Sequence, residues 1–518
     1  SKTSTVEALA PGVEIWNDGD AALSCTAGGA NVIGIRFVHT GGDSTARGRS
    51  GPRCVEVFEG QLTVERCSFT SKVGSAVMAA DGGSIVIRES KLHRCGRCGL
   101  IVVLGGRAEC LGSELVENAL NGADVQSGGT VRLIHNLIAR NQQTGILVAD
   151  PLSFVHVEGN VIRENSRRGV TAQKCGTFLL VGNKVIKNHN IGVIGIGPWE
   201  QTSSLMIHDN EISGNIASGL WVQRGDALIE NNLVANNGDT GIVAFGSSSV
   251  LRIRKNKILG NEGAGISVHS AKYLELEFNE IGVQSIPLPP SHMTAFIMGM
   301  HERLGLESRV HSLNDAVCWE INDIYHDEKE GGNTGFAIEI IGTKAKIFRN
   351  EMKNNGDGGL VICDGSQVEV EANTIAKNSG PGLTVRGPET RCCTKGNRIL
   401  ENVSAGVELC AGGYWVGMGS DVVSKNEGDG VSIRNCVPAV LISSITLKGN
   451  RGNGISVDSN SSAEVDNCLV VRNLKSGIRA EGKVVICETT AAKLLHNDIL
   501  VTDTGKCTTG GNPPMKLN

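Results

Sequence analysis

The chain has 518 residues and a formal charge of −5, which gives no reason to expect binding to nucleic acid or to an acidic membrane surface. Glycine is abundant, at 68 residues, and proline is scarce, at 12, a composition typical of turn-rich folded structure and not of a proline-rich linker. Aromatic residues make up 3% of the chain, which suits a narrow core of Val, Ile, Leu and Asn.

The first residues do not resemble a signal peptide, and no apolar run reaches the roughly 18 residues of a membrane-spanning helix. The 16 cysteines are scattered through a large chain, which favours reduced thiols over a disulfide framework. The sequon at Asn402 agrees with this, because its Asn falls at a position that we predict to be buried, where a glycan could not fit. We therefore expect a cytoplasmic protein with no membrane partner and no cofactor.

Residues 1–60 contain loose copies of a repeat that becomes regular further along the chain. Its marker is a glycine that returns at steps of roughly 22 to 25 residues, a period typical of solenoids and propellers. The aligned glycines are Gly74, Gly99, Gly122, Gly145, Gly169, Gly192, Gly219, Gly241 and Gly265, then Gly335, Gly359, Gly382, Gly406, Gly430, Gly454 and Gly477.

Asparagine recurs at two positions of the repeat, as in Asn256 and Asn261 ahead of Gly265. Between these positions and after the glycine, apolar residues alternate with period two, which indicates three short strands per unit. Asn tolerates left-handed backbone and Gly adopts it readily, so both suit turns, and stacked Asn side chains can bond to one another. The pattern predicts an all-β, right-handed parallel β-helix of about 20 turns, on the order of 95 Å long at ~4.8 Å per turn.

One interruption and one tail depart from the pattern. Between Gly265 and Gly335 we predict two turns plus an inserted loop and helix over 282–312. Residues 1–490 would then form the β-helix, and 491–518 a C-terminal cap and exit tail in which 491–498 is a candidate capping helix. The inserted helix is either local packing on the rod wall or a docking element, since a Met-rich face suits adaptable partners. Its candidate docking residues are Met293, Phe296, Ile297, Met300 and Leu304.

The strand after each repeat glycine points two side chains outward, at the second and fourth positions after the glycine. In the first half of the chain these positions form an apolar and amide stripe with aromatic residues at its centre. Exposed aromatic residues anchor protein interfaces, although a loop or the inserted helix could equally cover this stripe. The candidate partner-binding residues are Gln173, Ile194, Trp221, Gln223, Val243, Phe245 and His269. In the second half the outward positions are of mixed charge, which is typical of a solvated face.

No pattern of catalytic residues is evident in the sequence. Outward acidic pairs at a separation suited to glycoside hydrolysis do not occur on adjacent turns of this strand. His269 with Tyr273 could imitate the acid–base pair of a lyase or epimerase, but we favour ordinary surface residues. The motif at His93, Cys95 and Cys98 could suggest a metal, yet Cys95 occupies the ladder position of later turns, which favours a buried cysteine stack.

The N-terminal turns resemble a known family. The segments CVEVFEGQLTVERCSFTSKVGSAV (54–77) and LHRCGRCGLIVV (92–103) are similar to the β-helix of F-box ubiquitin-ligase substrate receptors. The segment CTAGGANVIGIRFVH (25–39) resembles the entry turns of SHC-binding spindle-associated proteins. The repeats also resemble the wider pectin-lyase-like group, which includes bacterial carbohydrate epimerases.

This resemblance implies a non-enzymatic scaffold that binds protein partners along its flank. Its setting would be a cytoskeletal, spindle, ciliary or ubiquitin-ligase-adaptor assembly, although no F-box precedes the repeats in this sequence. The alternative is a polysaccharide-active enzyme (a lyase, epimerase or hydrolase) or a carbohydrate-binding β-helix.

Overall fold

The chain is a stack of three-strand turns in which each strand pairs with its counterpart one turn away. The computed structural model describes residues 3–41, 52–175, 177–197, 204–246, 249–282, 332–437 and 439–487, and parts of 494–509. The predicted all-β parallel β-helix with three strands per turn is confirmed. The three sheets hold 20, 19 and 19 strands, so the complete turns are slightly fewer than the number predicted.

The sheets are called A, B and C in the order in which the chain visits them. The strands of sheet A are Thr3–Glu7, Gly29–Ile33, Gln61–Glu65, Ser84–Arg88, Arg107–Leu111, Thr130–Ile134, Phe154–Glu158, Thr177–Val181, Ser204–His208, Asp226–Glu230, Val250–Arg254, Tyr273–Glu277, Lys344–Phe348, Gln367–Glu371, Arg391–Lys395, Tyr414–Gly417, Val440–Ser443, Ser462–Asp466, Lys483–Ile486 and Lys506–Thr509. The strands of sheet B are Glu14–Asn17, Arg36–His39, Ser68–Ser71, Lys91–His93, Glu114–Val116, Leu137–Ala139, Val161–Arg163, Lys184–Ile186, Glu211–Ser213, Leu233–Ala235, Lys257–Leu259, Glu280–Ile281, Glu351–Lys353, Thr374–Ala376, Arg398–Leu400, Val422–Ser424, Thr446–Lys448, Leu469–Val471 and Leu494–Leu495. The strands of sheet C are Ala21–Cys25, Arg53–Phe58, Ser75–Ala80, Leu100–Val102, Ala123–Gln126, Ile146–Ala149, Val170–Gln173, Val193–Ile196, Leu220–Gln223, Ile242–Phe245, Ile266–His269, Phe336–Ile341, Gly358–Cys363, Leu383–Arg386, Val407–Cys410, Val431–Arg434, Ile455–Val457, Ser476–Ala480 and Ile499–Asp503.

The core is a column of inward side chains that stack from turn to turn. Alternation along each strand sends residues such as Ile242 and Ala244 inward, where they are fully buried. Aromatic residues stack in the same way, with the rings of Phe37 and Phe69 5.2 Å apart and 9° from parallel. Burying a Val, Leu or Ile side chain contributes about 1.5–3 kcal/mol, so this repeated column is the main stabilising term.

Two ladders of asparagine run inside the corners of the rod, as predicted. The B–C ladder, between sheets B and C, begins where the backbone N–H of Cys95 donates to Oδ1 of Asn118, which confirms the predicted ladder position of Cys95. Each Asn then donates from Nδ2 to the Oδ1 of the next at 2.9–3.0 Å. Its members are Asn118, Asn141, Asn165, Asn188, Asn215, Asn237, Asn261, Asn333, Asn355, Asn378, Asn402, Asn426, Asn450, Asn473 and Asn497.

The A–B ladder, between sheets A and B, follows the same rule and ends in an aspartate. Its members are Asn136, Asn160, Asn183, Asn210, Asn232, Asn256, Asn279, Asn350, Asn373, Asn397 and Asp421. Each amide is bonded, and all except Asn497 at the end of the B–C ladder are buried, so neither ladder carries the cost of an unsatisfied polar group.

The repeat glycines have a different role from the one expected. The left-handed residue is the one immediately before most of the ladder Asn residues, for example Asn236 with φ 53° and Lys255 with φ 55°. Gly241 is not among the positive-φ residues. A Cβ atom added to Gly241 would lie 2.7 Å from the carbonyl oxygen of Gly265 and 2.9 Å from Nδ2 of Asn261. Glycine is therefore required by the close approach of adjacent turns and not by left-handed geometry.

Two predictions about the interruption and the tail are wrong. The strands Ile266–His269 and Phe336–Ile341 pair directly, and Asn261 bonds directly to Asn333, so one turn and not two lies between Gly265 and Gly335. The candidate capping helix contains the strand Leu494–Leu495, which pairs with Leu469–Val471 and so continues the stack. The inserted helix, with Met293, Phe296, Ile297, Met300 and Leu304, lies outside the described residues.

The cysteines of the described residues are free thiols, and most are buried. Cys67, Cys95 and Cys110 lie in the core as predicted, and burial raises the pKa of the Cys110 thiol to about 12. Asn402 is buried in the B–C ladder, which confirms that the sequon lies inside the rod. Among the described residues, no helix is long and apolar enough to cross a membrane.

Candidate functional site

The outward side chains of sheet C form two rows along the rod, which we call the sheet C face. The strand pairings place the first row in the order Leu147, Thr171, Ile194, Trp221, Val243, Ser267, Glu339, Val361, Thr384, Glu408 and Ser432. The second row is Ala149, Gln173, Ile196, Gln223, Phe245, His269, Ile341, Cys363, Arg386, Cys410 and Arg434. From Leu147 to His269 neither row contains Asp, Glu, Lys or Arg.

All seven residues of the predicted stripe lie on this face, but they are not equally open. Gln173 is exposed, and Trp221, Gln223, Phe245 and His269 are half-buried.

Ile194 and Val243 are only 4% and 6% exposed. Each stands in register with Trp221 on an adjacent strand, and a bulky neighbour covers a smaller side chain on a closely spaced sheet. These two side chains therefore offer little contact area, and their assignment as partner-binding residues stays a prediction.

Three rings of the stripe stack along the rod. Phe245 and His269 are in register on adjacent strands, with ring centroids 4.6 Å apart and planes 18° from parallel. Trp221 reaches Phe245 diagonally, at 4.9 Å and 32°. Diagonal contacts of this kind are within reach of aromatic side chains on paired strands. The result is a continuous aromatic stack across three turns.

A hydrogen-bonded chain extends this stack to a carboxylate. Oγ of Ser267 lies 3.0 Å from Nε2 of His269 and 2.9 Å from Oε2 of Glu339. A hydroxyl has one proton, and a carboxylate is the stronger acceptor. Ser267 therefore donates to Glu339, and Nε2–H of His269 donates to Ser267, which fixes the imidazole ring flat against Phe245.

This arrangement differs from the acid–base pair considered for His269. Tyr273 begins a strand of sheet A, so it lies on another face of the rod. Ser267 is not activated as a nucleophile, because its proton is directed to Glu339 and not to His269. The arrangement can orient a ring and present a carboxylate, which is binding chemistry.

Alignment of the turns on Gly335 predicts Glu339 at the fourth position after the glycine, but the strand pairing places it at the second. The position equivalent to Gly265 is Ala337 and not Gly335. The carbonyl oxygen of Ala337 would lie 2.6 Å from a Cβ atom added to Gly265. Glu339 is thus in register with Ser267, from which it is 72 residues distant in the chain. The sequence signal for this register is Asn333, which lies four residues before Ala337, as Asn261 lies four residues before Gly265.

The motif at His93, Cys95 and Cys98 does not converge on one point. Nε2 of His93 lies 3.0 Å from Oγ of Ser68 on sheet B, while Cys95 is buried at the start of the B–C ladder. Cys98 lies at the other end of the corner, with its Sγ 3.9 Å from Oδ2 of Asp124. Within the described residues, no group of three or more His, Cys, Asp or Glu could hold a metal ion.

The C-terminal half of the face carries mixed charge, as predicted. A shallow groove of about 360 Å³ lies there, and its lining includes Ser432, Arg434, Asp458, Arg479 and Glu481. Arg434 pairs with Glu408, and Arg479 pairs with Glu481. These charges largely satisfy one another, as on a solvated face.

Comparison with known proteins agrees with this fold. The family described as "Right handed beta helix region" matches residues 53–197, 195–281 and 308–435, which is more than half of the chain. The chain belongs to this family. The rod is thus a right-handed parallel β-helix, as the sequence predicted.

Other similarities are weaker. Human F-box only protein 10 is 38% identical over 77 residues, which are 15% of this chain and 8% of that protein. The mannuronan C-5 epimerase AlgE4 A-module of Azotobacter vinelandii has a TM-score of 0.21 at 10% identity. The alignment covers 94% of this chain and 91% of the epimerase module. The Agl-KA catalytic domain has a TM-score of 0.20 at 9% identity. The alignment covers 93% of this chain and 62% of the Agl-KA domain. Structural scores this low carry no information about function.

Proposed function

We propose that the chain is a non-enzymatic β-helix scaffold that binds protein partners through the sheet C face. The observation that carries this proposal is the stack of Trp221, Phe245 and His269 in a strip without charged residues. Aromatic side chains on a rigid support are the usual anchors of protein interfaces, since they bury a large area at little entropic cost. The short similarity to an F-box protein supports protein binding. We place the chain in a ubiquitin-ligase-adaptor or cytoskeletal assembly in the cytoplasm.

The experiment compares two aromatic pairs on the same rod. Trp221→Ala/Phe245→Ala removes the sheet C stack, and Phe278→Ala/Phe348→Ala removes a second surface pair with ring centroids 6.0 Å apart. A photo-crosslinking residue at Gln223 identifies the bound protein and the site, and the affinity of that purified partner is then measured. We expect the first variant to weaken binding by about tenfold or more, as for loss of an interface anchor. The second should bind as the wild type does.

Equal binding by both variants would contradict the assignment of this face. The polysaccharide-active alternative is tested by incubation with uronic-acid polymers, monitored by ultraviolet absorbance and by reducing ends. Turnover that disappears in His269→Ala would overturn the proposal in favour of an enzyme. Trp221→Ala/Phe245→Ala and Phe278→Ala/Phe348→Ala should first be shown to retain the wild-type circular dichroism spectrum and Tm.

A further inference from the structure

Two charged side chains of the sheet C face make no ion pair within the described residues. Some outward carboxylates of this rod pair with a cation on a neighbouring strand, as Glu230 does with Arg254 at 3.0 Å and Glu109 with Arg132 at 2.8 Å. Within the described residues, Glu339 has no such cation and Arg386 no such carboxylate. A carboxylate and a guanidinium left open on one face can each take an opposite charge from a partner.

Glu339 and Arg386 are placed symmetrically about one strand. Glu339 lies one strand before Val361 and Cys363, and Arg386 lies one strand after them. A twofold axis that runs along the strand Gly358–Cys363 and parallel to the face would bring a second copy into contact with its rod reversed. In that arrangement Glu339 of each copy faces Thr384 of the other, two residues along the strand from Arg386, so a diagonal Glu339–Arg386 ion pair would form twice in the dimer, once on each side of the axis.

The same axis pairs the remainder of the face. Two strands from the axis, the turn of Ser267 and His269 faces the turn of Glu408. Three strands from the axis, Phe245 faces Arg434 in the same row. A guanidinium over an aromatic ring is a favourable contact. This chain already uses that contact on another face, where the guanidinium of Arg349 lies 4.7 Å from the ring centroid of Phe348.

The available area lies at the lower limit for a specific dimer. About nine strands at ~4.8 Å, each about 13 Å long, give on the order of 500 Å² per copy. The sum of about 1,000 Å² is the lower limit for a specific interface. A copy in the same direction would instead set Glu339 and Arg386 each against its own turn, where neither has an opposite charge, so the pairing favours the antiparallel orientation.

We propose that the sheet C face binds a second copy of this chain in antiparallel orientation, about a twofold axis along the strand Gly358–Cys363. This inference rests on the proposed function, because it names the partner of the same face. An isologous interface of this kind closes on itself and yields a dimer without a filament.

Charge reversal tests the pairing. The purified full chain should sediment at twice its 54.5 kDa monomer mass. Glu339→Arg and Arg386→Glu should each raise the dimer dissociation constant by about tenfold or more, because like charges then meet twice. The double variant should return it to within about threefold of the wild type, since the two charges are exchanged across the axis. Glu369→Arg, on sheet A, makes the same charge change outside the face and should leave it unchanged.

A cross-link tests the position of the axis. Cys363 faces Cys363 of the second copy, so a short bismaleimide should join the two chains through this residue. Cys363→Ser should abolish the covalent dimer, whereas Cys393→Ser, a half-buried cysteine on sheet A, should not.

A wild type that stays monomeric at about 100 μM, well above the dissociation constants of specific dimers, would overturn the inference. A double variant no better than the single variants would do the same. If the chain is monomeric and a different partner still requires Trp221 and Phe245, the proposed function stands and this inference fails. If neither interaction depends on the face, both fail.

Discussion

Asp421 stands where the A–B ladder ends, and its chemistry suits that place. Its Oδ1 accepts from the backbone N–H of Asn397 at 2.7 Å and from Nδ2 of Asn397 at 2.9 Å, while Oδ2 accepts from Oγ1 of Thr394 at 2.7 Å. The next turn offers Ile445 at the equivalent corner, which is buried and has no side-chain acceptor. An asparagine here would have an amide donor without a ladder partner, whereas an aspartate only accepts.

Asp421→Ala should lower the stability of the chain markedly. Three buried donors, two on Asn397 and one on Thr394, would lose their acceptor. At about 1–3 kcal/mol for each unsatisfied buried group, the total should reach about 3 kcal/mol or more. Thermal unfolding by circular dichroism measures the effect, with Glu427→Ala, an exposed carboxylate paired with Arg451, as the control. A Tm as high as that of the control would show that the ladder end is not stabilised in this way.

The same carboxyl also predicts a pH dependence. Burial raises the pKa of Asp421 above its ordinary value of 3.8, against the opposing effect of its hydrogen bonds from Asn397 and Thr394. The folded state thus binds this proton more tightly, and the contribution of Asp421 to stability falls as pH rises from about 3.8 through the raised folded pKa. The Tm of Asp421→Asn relative to wild type should increase over that window. A difference independent of pH would contradict this assignment.

At the scale of the element, the B–C ladder couples each turn to the next. Asn237 accepts at Oδ1 from the N–H and Nδ2 of Asn215 at 3.1 and 3.0 Å. It donates from Nδ2 to Oδ1 of Asn261 at 2.9 Å and to the carbonyl of Ile212 at 3.1 Å. The Asn237 side chain thus bonds to Asn215 and Ile212 on the preceding turn and to Asn261 on the following turn. A solenoid is stabilised by such nearest-neighbour terms.

Asn237→Ala should destabilise the centre of the rod by about 3 kcal/mol or more, because two N–H groups of Asn215 lose their acceptor and the carbonyl of Ile212 loses a donor. Oδ1 of Asn261 keeps only the backbone N–H of residue 237. Since repeat arrays do not always unfold in one step, hydrogen exchange of the turns around residues 215–261 is the sharper measurement. Asn190→Ala, at an exposed position, should change stability by no more than about 0.5 kcal/mol. Protection that falls equally along the whole rod would argue against a local coupling.

At the scale of the whole molecule, the stack passes the long interruption without losing register. Ile258 pairs with Ile281, and Asn261 bonds to Asn333, so the turns before and after residues 283–331 are adjacent. If Gly282 were joined to Gly332, the sequence Ile281-Gly282-Gly332-Asn333 would align with Ile258-Leu259-Gly260-Asn261. The interruption is therefore an insertion at a single corner of the β-helix.

Deletion of 283–331 should leave a folded rod with a Tm within about 5 °C of the wild type, since no described strand or ladder bond is removed. Deletion of 283–333 also removes the ladder residue Asn333, and we expect its Tm to fall clearly below that of the shorter deletion. Circular dichroism and thermal unfolding distinguish the two. Equal loss of structure in both variants would show that the inserted segment is needed for the stack.

Much of this molecule could be predicted from the repeat alone. The period of the glycines, the paired asparagines and the alternation of apolar residues specified the three-strand turn, both ladders and the outward stripe with Trp221 and Phe245 at its centre. These features are local, and each turn repeats them, so errors in one copy are corrected by the others. Cys95 at the ladder position and Asn402 inside the rod followed from the same alignment.

The pattern failed where the repeat is interrupted. Across residues 283–331 the next glycine is offset by two positions from its counterpart, which misplaced Glu339 and hid Asn333. At the tail, the short apolar segment 491–498 has no clear period, and its pattern predicts a helix. In the structure, Leu494–Leu495 instead pairs with the sheet B strand Leu469–Val471.

The sequence by itself determined the unit of the fold, because periodic burial and turn chemistry are written in each copy. Only the tertiary structure decided how distant copies meet, because register depends on backbone pairing between turns and not on local pattern. That register sets Glu339 beside Ser267 and His269, stacks the rings of Trp221 and Phe245, and buries Ile194 and Val243 beside them. It also places Glu339 and Arg386 on either side of one strand.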